Sequence, residues 1–212
     1  MLLPQASGSR ISSVLKILTV CTGNVCRSPL AALVLAQRLS ELDVQISSSG
    51  TRSRPGLPMT SEAQKIAVEL GASPEAASTH VSRFLDTTQL RSADFVIAMA
   101  RNHRRAIVQL DPSLSRTTFT LRELDRLVAL TDSDELVMPG KPEGLENPQA
   151  ALMRMLAHVA SRRGIAPPPD SPDDDDVVDP YGRSRRTYAM SGVQVARALP
   201  SVERLVRLAL AT

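Results

Sequence analysis

The chain has 212 residues, 42% of them hydrophobic, and a formal net charge of +3: enough apolar material for a sizeable core, and too small a basic excess to imply nucleic acid as a partner. Its two cysteines, Cys21 and Cys26, share one short segment with no further Cys to pair with, which excludes a disulfide-stapled scaffold and suits a reducing cytoplasm. No charged start followed by an apolar run and cleavage site is visible, and no stretch approaches the ~20 apolar residues of a membrane span, so a cytoplasmic protein without membrane attachment is expected.

Residues 1–13 are polar, small and aperiodic, and read as a flexible tail. The branched apolar run VLKILTV (Val14–Val20) stops at a Gly-containing loop and predicts a buried strand. Ser28 as N-cap and Pro29 in the first turn then open a helix through LAALVLAQRL. Val44–Ser48 predicts a second strand, Ser61–Leu70 a helix stopped by Gly71, and Asp94–Met99 (DFVIAM) a third strand. A helix over Asn102–Leu110, a short strand at Thr117–Thr120 and a helix from Leu121 continue the series. This alternation predicts an α/β fold of three layers, a four-stranded parallel twisted sheet with helices on both faces and a loop between strand 1 and helix 1 at the carboxyl edge of the sheet. Beyond Leu130 the pattern breaks, resumes as a helix over Pro148–Arg163, and breaks again at APPPDSPDDDD, which reads as an extended acidic linker. Residues 14–212 are thus expected to form one domain carrying an inserted helix and an acidic linker at about 127–176. A last helix over Ser191–Leu210 is expected to break or bend at Pro200.

The chemistry concentrates in residues 21–28, Cys-Thr-Gly-Asn-Val-Cys-Arg-Ser. They lie between a predicted strand end and a predicted helix start, where open α/β sheets bind ligands. Backbone N–H groups at a helix start are unpaired and the helix dipole adds positive charge, so a dianion is stabilised there. Gly23 is expected to allow the tight curl, and Thr22, Gly23, Asn24, Val25, Cys26 and Ser28 then form an anion nest. A guanidinium at Arg27 can clasp two phosphate oxygens in a planar fork. The same field favours the thiolate form of Cys21, which can attack phosphorus and form a phosphocysteine. Cys26 alone reads equally well as a small buried residue. His80, His103 and His158 are scattered without metal-ligand spacing, so neither metal nor cofactor is expected.

These residues resemble the loop of the low-molecular-weight protein tyrosine phosphatases, C-x5-R-S with a central Asn and a Pro after the Ser. The resemblance extends to ISSSGT (Ile46–Thr51) for the family's S-A-G-T turn, HVSRFL (His80–Leu85) for its H-x-[AS]-R segment, ADFVIAM (Ala93–Met99) for its third strand, and DPYG (Asp179–Gly182) for its acid loop. It implies a phosphoprotein phosphatase that hydrolyses phosphotyrosine through a phosphocysteine, with a phosphorylated protein as substrate. Carried across, Cys21 is the nucleophile, Arg27 the phosphate binder and Asp179 the general acid and then base. Asn24, Ser48 and His80 brace the loop, Ser28 hydrogen-bonds the Cys21 sulfur, and Cys26 can pair with Cys21 on oxidation. Asp179 has a further rationale, since the leaving oxygen needs a proton and the phosphocysteine an activated water.

Two positions depart from the family pattern. Tyr181 stands where one cleft-walling aromatic is expected, but Arg54 occupies the region of the other; a guanidinium can itself stack on an aromatic ring. Ala100 replaces the usual Asp after the third strand. Bacterial protein arginine phosphatases are a second resemblance, sharing CTGN and an F-T-L-[KR]-E segment like Phe119–Glu123, but they tend to carry Thr where Val25 stands. Thioredoxin-coupled arsenate reductases need further cysteines, and an inactive phosphoprotein-binding module is the alternative outside enzymes. The sequence does not speak to oligomeric state.

Overall fold

The computed structural model describes residues 14–137 and 147–211; the expected N-terminal tail lies outside the described residues. In chain order the elements are β1 (Leu15–Cys21), α1 (Arg27–Arg38), β2 (Val44–Gly50), α2 (Ser61–Glu69), α3 (Pro74–Thr79), α4 (Thr87–Ser92), β3 (Phe95–Ala98), α5 (Arg101–Leu110), β4 (Thr118–Thr120), α6 (Leu121–Ala129), α7 (Ser133–Val137), α8 (Pro148–Ser161) and α9 (Arg185–Leu210). The strands form one parallel sheet in the order β2-β1-β3-β4. Alternate side chains of β1 serve two cores. Leu15, Ile17 and Cys21 join the larger core with residues of α1, α2, α6, α8 and α9. Leu18 and Val20 join a smaller one with Leu90 of α4 and Ile107 of α5. Helices therefore cover both faces, as the α/β reading requires. Strand order reverses direction at β1, so its carboxyl end is the topological switch point where such sheets bind ligands.

Several boundaries differ from the sequence expectation. β2 runs on to Gly50, because Ser49 and Gly50 continue the ladder opposite Val20 and Cys21. α1 starts at Arg27 behind Cys26, with no side-chain cap bond, so Ser28 is not an N-cap; its hydroxyl is engaged elsewhere. α9 starts at Arg185, capped by Ser184 accepting from the Thr187 N–H, and passes through Pro200 as one helix of 26 residues. Pro200 removes one helical hydrogen bond, and burial of Ala198, Leu199, Val202 and Leu205 around it keeps the helix whole despite that loss. The short helices α3, α4 and α7 span too few turns to show a period in sequence.

The acidic run is not an extended linker. Pro172–Asp175 form a short 3-10 turn, and Asp173, Asp175 and Asp176 pair with arginines of α5 and α6. Arg101 lies 2.6 Å from Asp173 and 3.2 Å from Asp176, and Arg126 lies 3.0 Å from Asp175. The Thr120 hydroxyl donates to the Asp175 carbonyl, Arg122 to the Asp176 carbonyl, and the Val177 N–H to the Met99 carbonyl. Like-charge repulsion, which would extend the segment in isolation, is cancelled on this surface. The chain is thereby tied to the carboxyl ends of β3 and β4, and Asp179 follows immediately.

Candidate active site

Between β1 and α1 the backbone turns at Asn24, which has φ +55°, a left-handed conformation that Asn tolerates better than most residues. Gly23, expected to supply the curl, is not among the residues with positive φ. Asn24 is locked from four sides. Its Nδ2 donates to Ser28 Oγ at 3.0 Å and Ser48 Oγ at 2.8 Å, while its Oδ1 accepts from the Arg83 N–H at 2.9 Å. Its carbonyl accepts from His80 Nε2 at 2.9 Å. Burial, and then the charge of Arg83, lower the His80 pKa; it braces the loop as a neutral ring.

The carbonyls of the loop are held outward. Thr51 N–H donates to Cys21, Arg52 N–H to Thr22, and Thr60 N–H to Val25, while Ser53 Oγ donates to Gly23 at 3.0 Å. In a planar trans peptide the C=O and the following N–H point in opposite directions, so these anchors turn the loop amides inward. Asn24 N–H accordingly donates to Cys21 Sγ at 3.2 Å. Ser28 Oγ lies 3.0 Å from the same sulfur and 3.3 Å from the Ser49 carbonyl, the alternative acceptor for its single hydrogen.

Arg27 is 5% exposed. Its Nη1 donates to the Val177 carbonyl at 3.1 Å, and its Nη2 lies 2.7 Å from Asp179 Oδ2. The Asp179 side chain is 52% exposed, and its Oδ1 accepts from the Tyr181 N–H at 3.2 Å. A cleft of ≈ 410 Å³ is lined by the loop residues Cys21, Thr22, Gly23, Val25, Cys26 and Arg27 together with Arg52, Arg54, Leu57, Asp179 and Tyr181. Every expected catalytic and wall residue meets there. Asn24, Ser28, Ser48 and His80 stand behind the loop.

The sequence profile described as "Low molecular weight phosphotyrosine protein phosphatase" matches residues 16–139. The chain belongs to this family. Among relatives of this phosphatase, the protein-arginine-phosphatase of Geobacillus stearothermophilus is 36% identical over 119 residues, 56% of this chain and 75% of that protein. The low molecular weight protein-tyrosine-phosphatase Ptp of Acinetobacter johnsonii is 32% identical over 105 residues, 50% of this chain and 70% of that protein. The crystal structure of the Erwinia amylovora tyrosine phosphatase AmsI superposes with a TM-score of 0.59 at 22% identity, covering 92% of this chain and 95% of that one. The YwlE arginine phosphatase of Geobacillus stearothermophilus gives 0.58 at 24%, covering 91% of each. Both share the fold. The profile ends before the acid loop, so the reading of Asp179 rests on its place in the cleft.

Sequence reasoning missed three contributors to the phosphatase site. Arg52 and Leu57 line the cleft mouth beside Arg54, whose carbonyl is fixed by Ser82 Oγ at 2.6 Å. His103 of α5, weighed only as a stray metal ligand, lies under the loop with Nε2 2.8 Å from Thr22 Oγ1. Burial first, and then the Arg27 charge, hold its pKa down at about 3. Nothing in the local sequence signals this contact, because it joins residues 81 positions apart. Cys26 Sγ faces Thr60 Oγ1 at 3.3 Å and the Tyr188 hydroxyl at 3.7 Å, and burial pushes its thiol up. Among the described residues no three His, Cys, Asp or Glu side chains converge as a metal site would need.

Gly50 is where β2 touches the loop. A Cβ there would lie 2.5 Å from the Thr22 carbonyl oxygen, 2.9 Å from the Asn24 nitrogen and 2.9 Å from Ser53 Cβ. Backbone cannot swing aside as a side chain can, so Gly50→Ala must push the loop off its anchors. The expected result is a loss of about 1–3 kcal/mol of stability and a fall of roughly tenfold or more in turnover, read by urea unfolding and by hydrolysis of p-nitrophenyl phosphate. Unchanged values for both would show that the loop has slack.

Proposed function

We propose that this phosphatase hydrolyses phosphotyrosine in proteins through a phosphocysteine, with Cys21 as nucleophile, Arg27 as phosphate clamp and Asp179 as acid and base. The observation that carries the reading is the Cys21 sulfur receiving hydrogen bonds from the Asn24 N–H and Ser28 Oγ in a cleft shared with Arg27 and Asp179. Both donors point at the sulfur and can hold the negative charge that returns to it when the S–P bond breaks. The inward amides and Arg27 take the equatorial phosphoryl oxygens. Those oxygens compete with Asp179 for the guanidinium, and the released carboxyl group stands beside the ester oxygen. Displaced from Arg27, the Asp179 carboxylate takes up a proton from solvent, and as the S–P bond forms and the P–O bond breaks it gives that proton to the phenolic oxygen. In the second half-reaction the carboxylate takes a proton from the water that attacks phosphorus, and Cys21 leaves as a thiolate received by the same two donors.

The cleft mouth supports an aromatic ester. Leu57, Tyr181 and Arg54 line the cleft, and a flat ring can pack against apolar, aromatic and guanidinium groups alike. A phosphoarginine would bring its own guanidinium against Arg52 and Arg54, at a Coulombic cost. Hydrolysis of phosphoarginine is the second reading, favoured by the 36% identity to the Geobacillus protein-arginine-phosphatase. Steady-state kinetics on matched phosphotyrosine and phosphoarginine peptides test the choice. We expect kcat/KM at least about tenfold higher for phosphotyrosine; the reverse order replaces the proposal with the second reading, and turnover of neither would favour a phosphoprotein-binding module.

A further inference from the structure

We propose that His103 positions the Thr22 hydroxyl as an additional donor to the phosphoryl oxygens of the substrate, a role that rests on the phosphatase reading above. His103 is 1% exposed, and its Nδ1 has no hydrogen-bond partner among the described residues. Its Nε2 lies 2.8 Å from Thr22 Oγ1, and Arg27 Nη2 lies 3.5 Å from the same oxygen. The ring is neutral at physiological pH, so one nitrogen carries the hydrogen and the other a lone pair.

The tautomer follows from what each choice leaves buried. Hydrogen on Nδ1 would strand an N–H donor inside the protein, the kind of group native structures rarely tolerate. Hydrogen on Nε2 points at Thr22 Oγ1 and leaves an unpaired acceptor at Nδ1. A guanidinium can only donate, so the Thr22 oxygen then accepts from His103 and from Arg27, filling both lone pairs. Its own hydrogen has no remaining acceptor in that direction and turns into the cleft that Thr22 lines. The hydroxyl becomes a fixed donor at the phosphate site, aligned before substrate arrives. His103 touches no substrate atom; it acts through Thr22.

The test measures orthovanadate binding as the inhibition constant against p-nitrophenyl phosphate. His103→Gln keeps an amide nitrogen near the Nε2 position, whereas His103→Asn withdraws it. We expect His103→Asn to weaken vanadate about tenfold, the loss of one hydrogen bond to a charged group, and His103→Gln to stay within about threefold of wild type. In a Thr22→Val background His103→Asn should add nothing, because the hydroxyl it orients is gone. An equal loss with and without Thr22, or equal damage from Asn and Gln, would overturn the assignment. Should His103→Asn fail to fold, Thr22→Ser and Thr22→Val decide: Ser should bind like wild type and Val about tenfold more weakly, and identical binding by both overturns it. Absence of vanadate binding by the wild-type protein would instead remove the phosphatase reading, and this inference with it.

Discussion

Cys21→Ser is expected to lower phosphatase turnover by ~10⁴-fold or more, while inorganic phosphate still occupies the cleft. The Cys21 sulfur is buried and receives two hydrogen bonds, from a backbone amide and a serine hydroxyl. These donors stabilise a large, easily formed anion. A serine oxygen at the same place remains a hydroxyl at neutral pH, because an alcohol is a far weaker acid than a thiol and the two groups hydrogen-bonded there, a backbone amide and a serine hydroxyl, are not bases. The loop itself is held by Asn24 and by outward carbonyl anchors, and the sulfur touches this network only through the Asn24 N–H and Ser28 Oγ. Phosphate should therefore bind to the variant with nearly unchanged affinity, measured by calorimetry. A variant that loses turnover and phosphate together would have lost the loop rather than the nucleophile, and one that keeps turnover would remove Cys21 from the mechanism.

Asp179→Ala should separate chemistry from binding. Loss of a general acid costs about 10²–10⁴-fold, and the cost should be larger for phosphotyrosine than for p-nitrophenyl phosphate, whose leaving group needs less protonation. Phosphate binding should not fall. In the free protein Asp179 lies 2.7 Å from Arg27 Nη2, so the carboxylate occupies a donor that an incoming oxyanion needs. With half of its side chain exposed, the pair contributes only about 0–1 kcal/mol, and its removal should tighten phosphate by up to roughly fivefold. Weaker phosphate binding in Asp179→Ala would mean that the carboxyl group helps to build the pocket instead of competing for it.

The parts of the site that were legible in sequence are those written within a few residues of one another. A branched apolar run, a short loop and a run of helix formers place Cys21 and Arg27 together in sequence alone, and the local D-P-Y-G pattern marks Asp179. Local reading erred where a residue's partner is distant. Ser28 has the composition of an N-cap, but its hydroxyl goes to Cys21 and Asn24. Gly23 looked like the turn residue, yet the positive φ belongs to Asn24, whose side chain is held by Ser48 and the backbone of Arg83. The run 173–176 reads as a solvated spacer because Arg101 and Arg126, which pair with Asp173, Asp175 and Asp176, lie about fifty to seventy-five positions away in sequence. His103 had no sequence signal at all.

The excursion between α6 and the acid loop has a consequence for how freely this protein can vary. Where Asp179 stands is fixed by where the returning segment is pinned, at Arg101, Arg122, Arg126 and the Met99 carbonyl, and not by how much chain precedes those pins. Doubling a flexible loop costs only about 0.6 kcal/mol. Chain added outside α8, whose Leu152, Met155 and Leu156 belong to the larger core, therefore comes at small thermodynamic expense, and Asp179 keeps its place as long as those pins hold.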